Sequence, residues 1–434
     1  MRADFTTIGS GLTYEIRNIV EIANLMKAQG LAISWENIGD PVMKGEVIPE
    51  WIKDVLKDVI NDNMSFAYSP TKGVDETRQY LADKRNALGG AKITKDDIIF
   101  FNGLGDAIAR SYSVMRKDAR IIMPEPTYST HFMAEVAHAS FPPNTYKMNP
   151  YNNWKPDLAE LERKIISSES IVGILVINPD NPTGYVYDID TLKEIVRIAK
   201  EHDLFIVVDE IYHNMIYNGK STPYIAELIE DLPAVSMNSL SKEVPWPGAR
   251  CAWIEVYNYG KDPYFDKYIQ AIFKQKQAEV CATTMPQMAI PKLLEHPQYD
   301  EYLNIRVRHY EKLASIAYNI LKDVPYIVVN RSDGAFYLSV VFNDAVLNNR
   351  QHLTMANKDI EKHVNSLLTP NSEHDKRFTY NLLGATGICT VPLTSFFTNL
   401  SGFRITLLEK NVDKFENNIK IIATKIVEYV ESTK

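Results

Sequence analysis

Four short apolar runs, each rich in β-branched residues and each ending in turn or polar residues, constrain this chain more than anything else. They are ARIIMP (Ala119 to Pro124), SIVGILVINP (Ser170 to Pro179), LFIVVDE (Leu204 to Glu210) and PAVSMNSL (Pro233 to Leu240). Their length and β-branched content read as buried strands, and stretches between them, such as 189–202, carry helical spacing. Strands alternating with helices give an α/β fold, a mostly parallel sheet with helices on both faces. In such sheets ligands bind beyond the carboxyl ends of the strands, so the polar residues that follow these runs are the first to examine.

A chain of 434 residues exceeds what one hydrophobic core usually holds. After about residue 290 the pattern changes. A helical stretch over 300–322 leads to GAFYLSVVF, then to a polar stretch over 343–380 that carries no motif. The end is helical, with Val412, Phe415, Ile419, Ile422, Ile426 and Tyr429 recurring at threes and fours. The expected division is an N-terminal arm with part of a small domain over 1–59, a large domain over 60–295, and a small α+β domain over 296–434. The run FPPNTYKMNPYNNWKPD, with four prolines, reads as a loop.

Composition narrows the function. A chain that is 45% hydrophobic and 24% charged is globular, and a net charge of −8 opposes a nucleic-acid partner. Cys251, Cys281 and Cys389 form no CxxC pair, which argues against a zinc ribbon or a disulfide framework and for a reducing, cytoplasmic setting. The opening MRADFTTIGSGLTYEIRN lacks the apolar core of a leader peptide, and IVGILVI is too short to span a bilayer. No HExxH, no GxSxG and no complete dinucleotide fingerprint occurs, so no metal site, serine hydrolase or NAD site is expected.

Four stretches behind strand-like runs carry chemistry. In NSLSKEVPWPGARCAW, Lys242 follows the small hydroxyl residues Ser239 and Ser241 just past a buried strand. A lone lysine is ordinarily a solvated charge, but one partly desolvated here can attack a carbonyl. Gly248 would give the backbone a tight path, and Arg250 could clamp an anion with its planar fork. In FFNGLGDAIARS, Asn102 could cap a helix opened by Gly103 and Gly105, whose bare amides would suit a phosphate. In VINPDNPTGYVYD, Asn181 could point its amide at a ligand hydroxyl. In FIVVDEIYHNMIY, Asp209 closes an apolar strand, where a carboxylate is costly without a partner, and Tyr212 lies within reach of the same ligand.

Together these stretches resemble, in order and over nearly the whole chain, the fold-type I pyridoxal-phosphate-dependent aminotransferases of class I/II. The resemblance implies a homodimer with shared active sites, and pyridoxal 5'-phosphate as cofactor. It implies that Lys242 forms the imine with the cofactor and shuttles the proton. Asp209 would pair with the ring nitrogen, Asn181 and Tyr212 would bond the ring's phenolic oxygen, and Tyr128 in PEPTYST would stack on the ring. Leu104 and Gly105, beside Gly103, would meet the phosphate with Ser239, Ser241 and Arg250. Tyr68 in FAYSPTKGVDE would reach the partner's phosphate. Arg404 in GFRITLLE would bind the substrate's α-carboxylate beside the backbone of Gly39 in NIGDPV. Gly105 departs from the family pattern, since it offers no hydroxyl.

The implied reaction passes an amino group from an L-amino acid to a 2-oxo acid, 2-oxoglutarate by default, in a ping-pong cycle. A carbon–sulfur β-lyase on the same cofactor, or a non-catalytic cofactor-binding regulator, is the alternative. A second cationic clamp would mark a dicarboxylic donor. Arg306, Arg308, Lys274 and Lys276 are the candidates, each read as a solvated helix charge. TGICTVPLTSFF is similar to alanine-type enzymes and favours a small or neutral side chain.

Overall fold

The structure, a computed structural model, describes residues 15–433. The first fourteen residues of the run examined for a leader therefore lie outside the described residues. Eight strands form the large sheet in the order Ile98–Phe101, Ala252–Tyr257, Ala234–Ser239, Phe205–Asp209, Ile171–Ile177, Arg120–Glu125, Thr145–Asn149 and Lys155–Pro156. The pairings from Ala234–Ser239 across to Thr145–Asn149 are parallel. Ala252–Tyr257 runs antiparallel to both its neighbours, and Lys155–Pro156 closes the far edge antiparallel.

Each expected strand forms within a residue or so of its expected bounds. The central ones are buried on both faces, as near-continuous apolar runs require. Between them, Ile189–Glu201 is capped by the Asp188 carboxylate, which accepts from Thr191 N at 2.7 Å. That helix buries Leu192, Ile195, Val196 and Ala199, the face its spacing assigns to the core.

The proline-rich run is a correction. It contains the strand Thr145–Asn149 and the edge strand Lys155–Pro156. Tyr146 and Met148 point inward between more exposed neighbours, a period of two, and the prolines stand at strand ends where no ladder donor is needed.

A second, four-stranded antiparallel sheet has the order Ile327–Val329, Tyr337–Phe342, Gly402–Thr406, Val391–Pro392. The helices Tyr299–Leu321 and Val412–Glu431 pack together beside it, the latter burying Phe415, Ile419, Ile422, Ile426 and Tyr429. The motif-free stretch supplies the helix Lys358–Leu367 and most of His374–Thr386. Their apolar residues Ile360, Val364, Tyr380 and Leu383 meet Ile19, Ile22 and Met26 of the helix Glu15–Ala28 in a small separate core. Beside it, Ser34–Trp35 pairs with Ile388–Cys389 and delivers the segment 36–46 between the two sheets. No helix among the described residues is long and apolar enough to cross a membrane.

Candidate active site

All the site residues of the large sheet gather at one end of it. Gly103 to Gly105, Asn181, Asp209, Ser239, Ser241 and Lys242 lie at or just past the carboxyl ends of parallel strands, and Tyr128 three residues past another. Arg250 enters from the start of the one antiparallel neighbour.

The chain turns at Gly103, with φ 88°. It is followed by the helix Leu104–Ser113, whose first amides have no preceding helical carbonyl to meet. A Cβ at Gly103 would stand 2.0 Å from Arg250 Nη2, so the guanidinium lies directly over this glycine. At Gly105 a Cβ would find nothing within 4 Å, so the recess is open there. Ser239 Oγ donates to Ser241 Oγ at 2.8 Å and accepts from Ser241 N at 2.9 Å, which fixes both hydroxyls beside the lysine turn. Helix terminus, hydroxyls and guanidinium together form a recess for a dianion.

Asp209 is buried. Its Oδ1 accepts from Ile211 N at 3.2 Å, and its Oδ2 lies 3.5 Å from His131 Nε2. Among the described residues no lysine or arginine stands at ion-pair distance from it. A buried carboxylate so placed fits a cationic ring nitrogen. Tyr128 caps the start of the helix Ser129–Ala139, half-buried, with its ring edge-on to His131 at 6.4 Å. Thr127 N donates to Phe396 O at 3.0 Å and Ser129 Oγ to Ser395 O at 3.0 Å, so this helix start is tied to the small sheet's loop.

Residues of the small sheet and of the segment 36–46 face these groups. Arg404 is 3% exposed, with Nη1 donating to Asn181 Oδ1 at 3.1 Å and Nη2 to Asn37 O at 2.9 Å. Its guanidinium lies 4.4 Å from the Tyr337 ring and 4.9 Å from the Phe396 ring, which restrict its rotation. Lys242 Nζ donates to Gly39 O at 2.8 Å, with the Phe336 ring at 5.4 Å and the Tyr212 ring at 5.9 Å. Tyr212 Oη and Tyr337 Oη are 2.9 Å apart. Burial, then the neighbouring Tyr337, holds the Tyr212 phenol well above its ordinary pKa.

The sequence reading missed Tyr337, Phe396, His131 and Asn37. Tyr337 lies opposite Thr406 and Ser339 opposite Arg404, so Tyr337 shares the face of Arg404. That follows from register, which GAFYLSVVF alone does not reveal. Two further expectations need correction. Asn102 caps nothing here; its amide donates to Glu279 Oε1 at 2.6 Å and accepts from Thr283 N at 3.0 Å, while Gly103 is the N-cap. Gly248 lies in the short 3-10 helix Pro247–Ala249 of the lysine turn, and the left-handed residue that follows is Arg250, φ 48°. Two of the four clamp candidates are buried rather than solvated. Lys276 is 2.9 Å from Glu279 and Arg306 is 2.6 Å from Glu46, because a cation on an inward helix face must find a carboxylate. Tyr68 stands apart from the rest, 82% exposed.

Large parallel sheet, small antiparallel sheet and a site at the strand ends between them define a fold-type I α/β enzyme. The sequence pattern of the family described as "Aminotransferase class I and II" matches residues 37–419. An uncharacterized aminotransferase of Methanocaldococcus jannaschii is 49% identical over 433 residues, with 100% of each chain covered. A glutamate–pyruvate aminotransferase of Escherichia coli strain K12 is 30% identical, over 75% of this chain and 79% of that one. A crystal structure of an E. coli aminotransferase superposes with a TM-score of 0.85 at 25% identity, over 99% of this chain and 100% of that one. An alanine aminotransferase from Pyrococcus furiosus shares the fold, with a TM-score of 0.84 at 24% identity over 98% and 100% of the chains. The chain belongs to the class I and II aminotransferases, and is a pyridoxal-phosphate-dependent enzyme.

Proposed function

We propose that this enzyme moves the amino group of a small neutral L-amino acid, alanine in the first instance, to 2-oxoglutarate in two ping-pong half-reactions. The observation that carries the reading is the pocket of Arg404. A buried guanidinium, held in plane by two rings and facing Asn181 and the Lys242 region, is suited to a carboxylate set at a defined distance from an amine. Two of the four cations considered as a second clamp are already paired in the interior. Arg306 and Lys276 are buried with Glu46 and Glu279, Arg308 is exposed beside Glu301, and Lys274 is exposed. Relatives named as glutamate–pyruvate and alanine aminotransferases support the same choice.

When bound, pyridoxal phosphate supplies an aldehyde and a cationic ring that withdraws electrons from the substrate's Cα. Lys242 supplies the amine that attaches it and moves a proton to and from that carbon. Asp209 holds the ring nitrogen protonated, Asn181 and Tyr212 orient the ring's oxygen, and Tyr128 covers its face. Gly103 to Gly105, Ser239, Ser241 and Arg250 receive the phosphate. Arg404 and the Gly39 backbone place the substrate. Tyr68 reaches the phosphate of a second copy, in a homodimer. The free thiols Cys251, Cys281 and Cys389 support a cytoplasmic setting.

The test is an absorbance titration of the cofactor-loaded protein with single amino acids. Alanine should convert the bound cofactor to its amine form, and 2-oxoglutarate should restore it. Conversion by aspartate but not alanine would reject the donor. Pyruvate released from a β-substituted amino acid without any oxo acid would replace transamination with β-elimination.

A further inference from the structure

The helix Tyr299–Leu321 carries a buried arginine that the roles above leave unused. Arg306 is 2% exposed and touches two segments at once. Its Nη1 donates to Glu243 O at 2.7 Å, the carbonyl of the residue after Lys242. Its Nε lies 2.6 Å from Glu46 Oε1, at the end of the segment that carries Asn37 and Gly39. Glu46 is itself buried, and also accepts from Tyr302 Oη at 2.6 Å and Lys410 Nζ at 3.0 Å. The contacts close a loop. Lys242 Nζ bonds Gly39 O, the chain runs from Gly39 to Glu46, Glu46 pairs with Arg306, and Arg306 returns to the backbone beside Lys242.

We infer that Arg306 is a positioning residue, which fixes the segment 36–46 against the lysine turn and so sets where the Lys242 amine stands. Packing alone does not call for it. A buried guanidinium is costly to desolvate, and an apolar side chain of similar volume would fill the space at less cost. What an apolar residue could not do is hold a carbonyl on one segment and a carboxylate on another at hydrogen-bond distance. The inference rests on the reading that Lys242 carries the proton.

The test uses Arg306→Met, Arg306→Lys, Glu46→Gln and the double variant Arg306→Met/Glu46→Gln. Two quantities are read: kcat and KM per bound cofactor, and hydrogen exchange of residues 36–46 in the cofactor-free chain. Because a misplacement of about 1 Å can cost about 100-fold, Arg306→Met should lower kcat at least ~10-fold while the donor KM stays within ~3-fold. Exchange over 36–46 should quicken. Arg306→Lys should recover part of kcat, and the double variant should be no worse than Arg306→Met, since both changes break one link. Unchanged kcat per bound cofactor, or unchanged exchange, overturns the inference. If Arg306→Met fails to fold, Glu46→Gln decides by the same two readings. Failure of the underlying reading shows separately, as a Lys242→Ala enzyme that still turns over.

Discussion

Lys242 and Arg404 end on the same short segment: the amine donates to Gly39 O at 2.8 Å and the guanidinium to Asn37 O at 2.9 Å. The amine proposed to move the proton and the guanidinium proposed to bind the carboxylate therefore share one ruler, although they come from different sheets. Arg404→Lys should keep the charge and lose the fork. Truncating one partner of a buried charged hydrogen bond costs about 2–5 kcal/mol, so kcat/KM for the donor should fall at least ~30-fold. Steady-state kinetics with alanine measure it, and an unchanged KM would remove Arg404 from the carboxylate.

Gly39 and Tyr337 are coupled by contact. A Cβ on Gly39 would stand 2.6 Å from Tyr337 Oη, and Gly39 has no left-handed backbone that would by itself resist a side chain. Gly39→Ala should thus act through that hydroxyl. Activity should fall in Gly39→Ala and return in part in Gly39→Ala/Tyr337→Phe, although Tyr337→Phe alone removes the bond to Tyr212, worth about 1 kcal/mol. Additive losses in the four-enzyme cycle would show that the two residues act independently.

Gly103 fails as alanine for two reasons, its φ of 88° and the Arg250 guanidinium 2.0 Å from the Cβ position. Gly103→Ala should weaken pyridoxal phosphate at least ~10-fold, since about 1.4 kcal/mol of lost contact already gives that factor. Equilibrium dialysis of the apoenzyme gives the affinity.

The large sheet was legible because its strands are buried on both faces, so they read as short, β-branched apolar runs such as IVGILVI bounded by turn residues. Lys242, Asp209 and Asn181 were legible for the same reason, as polar residues directly behind such runs. Strand Thr145–Asn149 was hidden, because one exposed face mixes polar residues and flanking prolines into the pattern. Tyr337, Phe396 and His131 act across register and tertiary contacts, which no spacing in the chain records. Arg306 looked like a surface charge because its carboxylate, Glu46, sits on a distant segment, and Lys276 because its partner Glu279, three residues on in the same helix, is the kind of pair that exposed helix faces also carry.

Asp180, next to Asn181, gives a pH signature. Its Oδ2 accepts from Thr183 N at 3.1 Å, its Oδ1 meets no donor among the described residues, and burial pushes its pKa up to about 7. The native chain then holds a proton that the unfolded chain has released. This contribution is fully present below the unfolded value of 3.8 and is lost as pH rises through about 7. Asp180→Asn should flatten that slope, by up to about 3 kcal/mol between pH 5 and pH 8 at ~1.4 kcal/mol per pH unit. Urea midpoints at the two pH values test it; equal slopes in both proteins would mean that Asp180 is ionised in the native state.

Tyr68 distinguishes a shared site from a self-contained one. It is 82% exposed beside Phe66 at 75%, an arrangement that leaves apolar surface in water unless a second copy covers it. In a dimer with shared sites, Lys242→Ala on one chain and Tyr68→Ala on the other place both defects in the same site and leave the second site whole. Such mixed dimers should keep about half the activity of a C2 dimer with two equal sites, and bind cofactor normally in the working one. With both changes on one chain, each site carries one defect, and the remaining turnover should need more cofactor. If Tyr68 served its own chain, the order would reverse: the dimer with both changes on one chain would hold the intact site. Tagged co-expression and cofactor titration of the two purified mixed dimers decide between them.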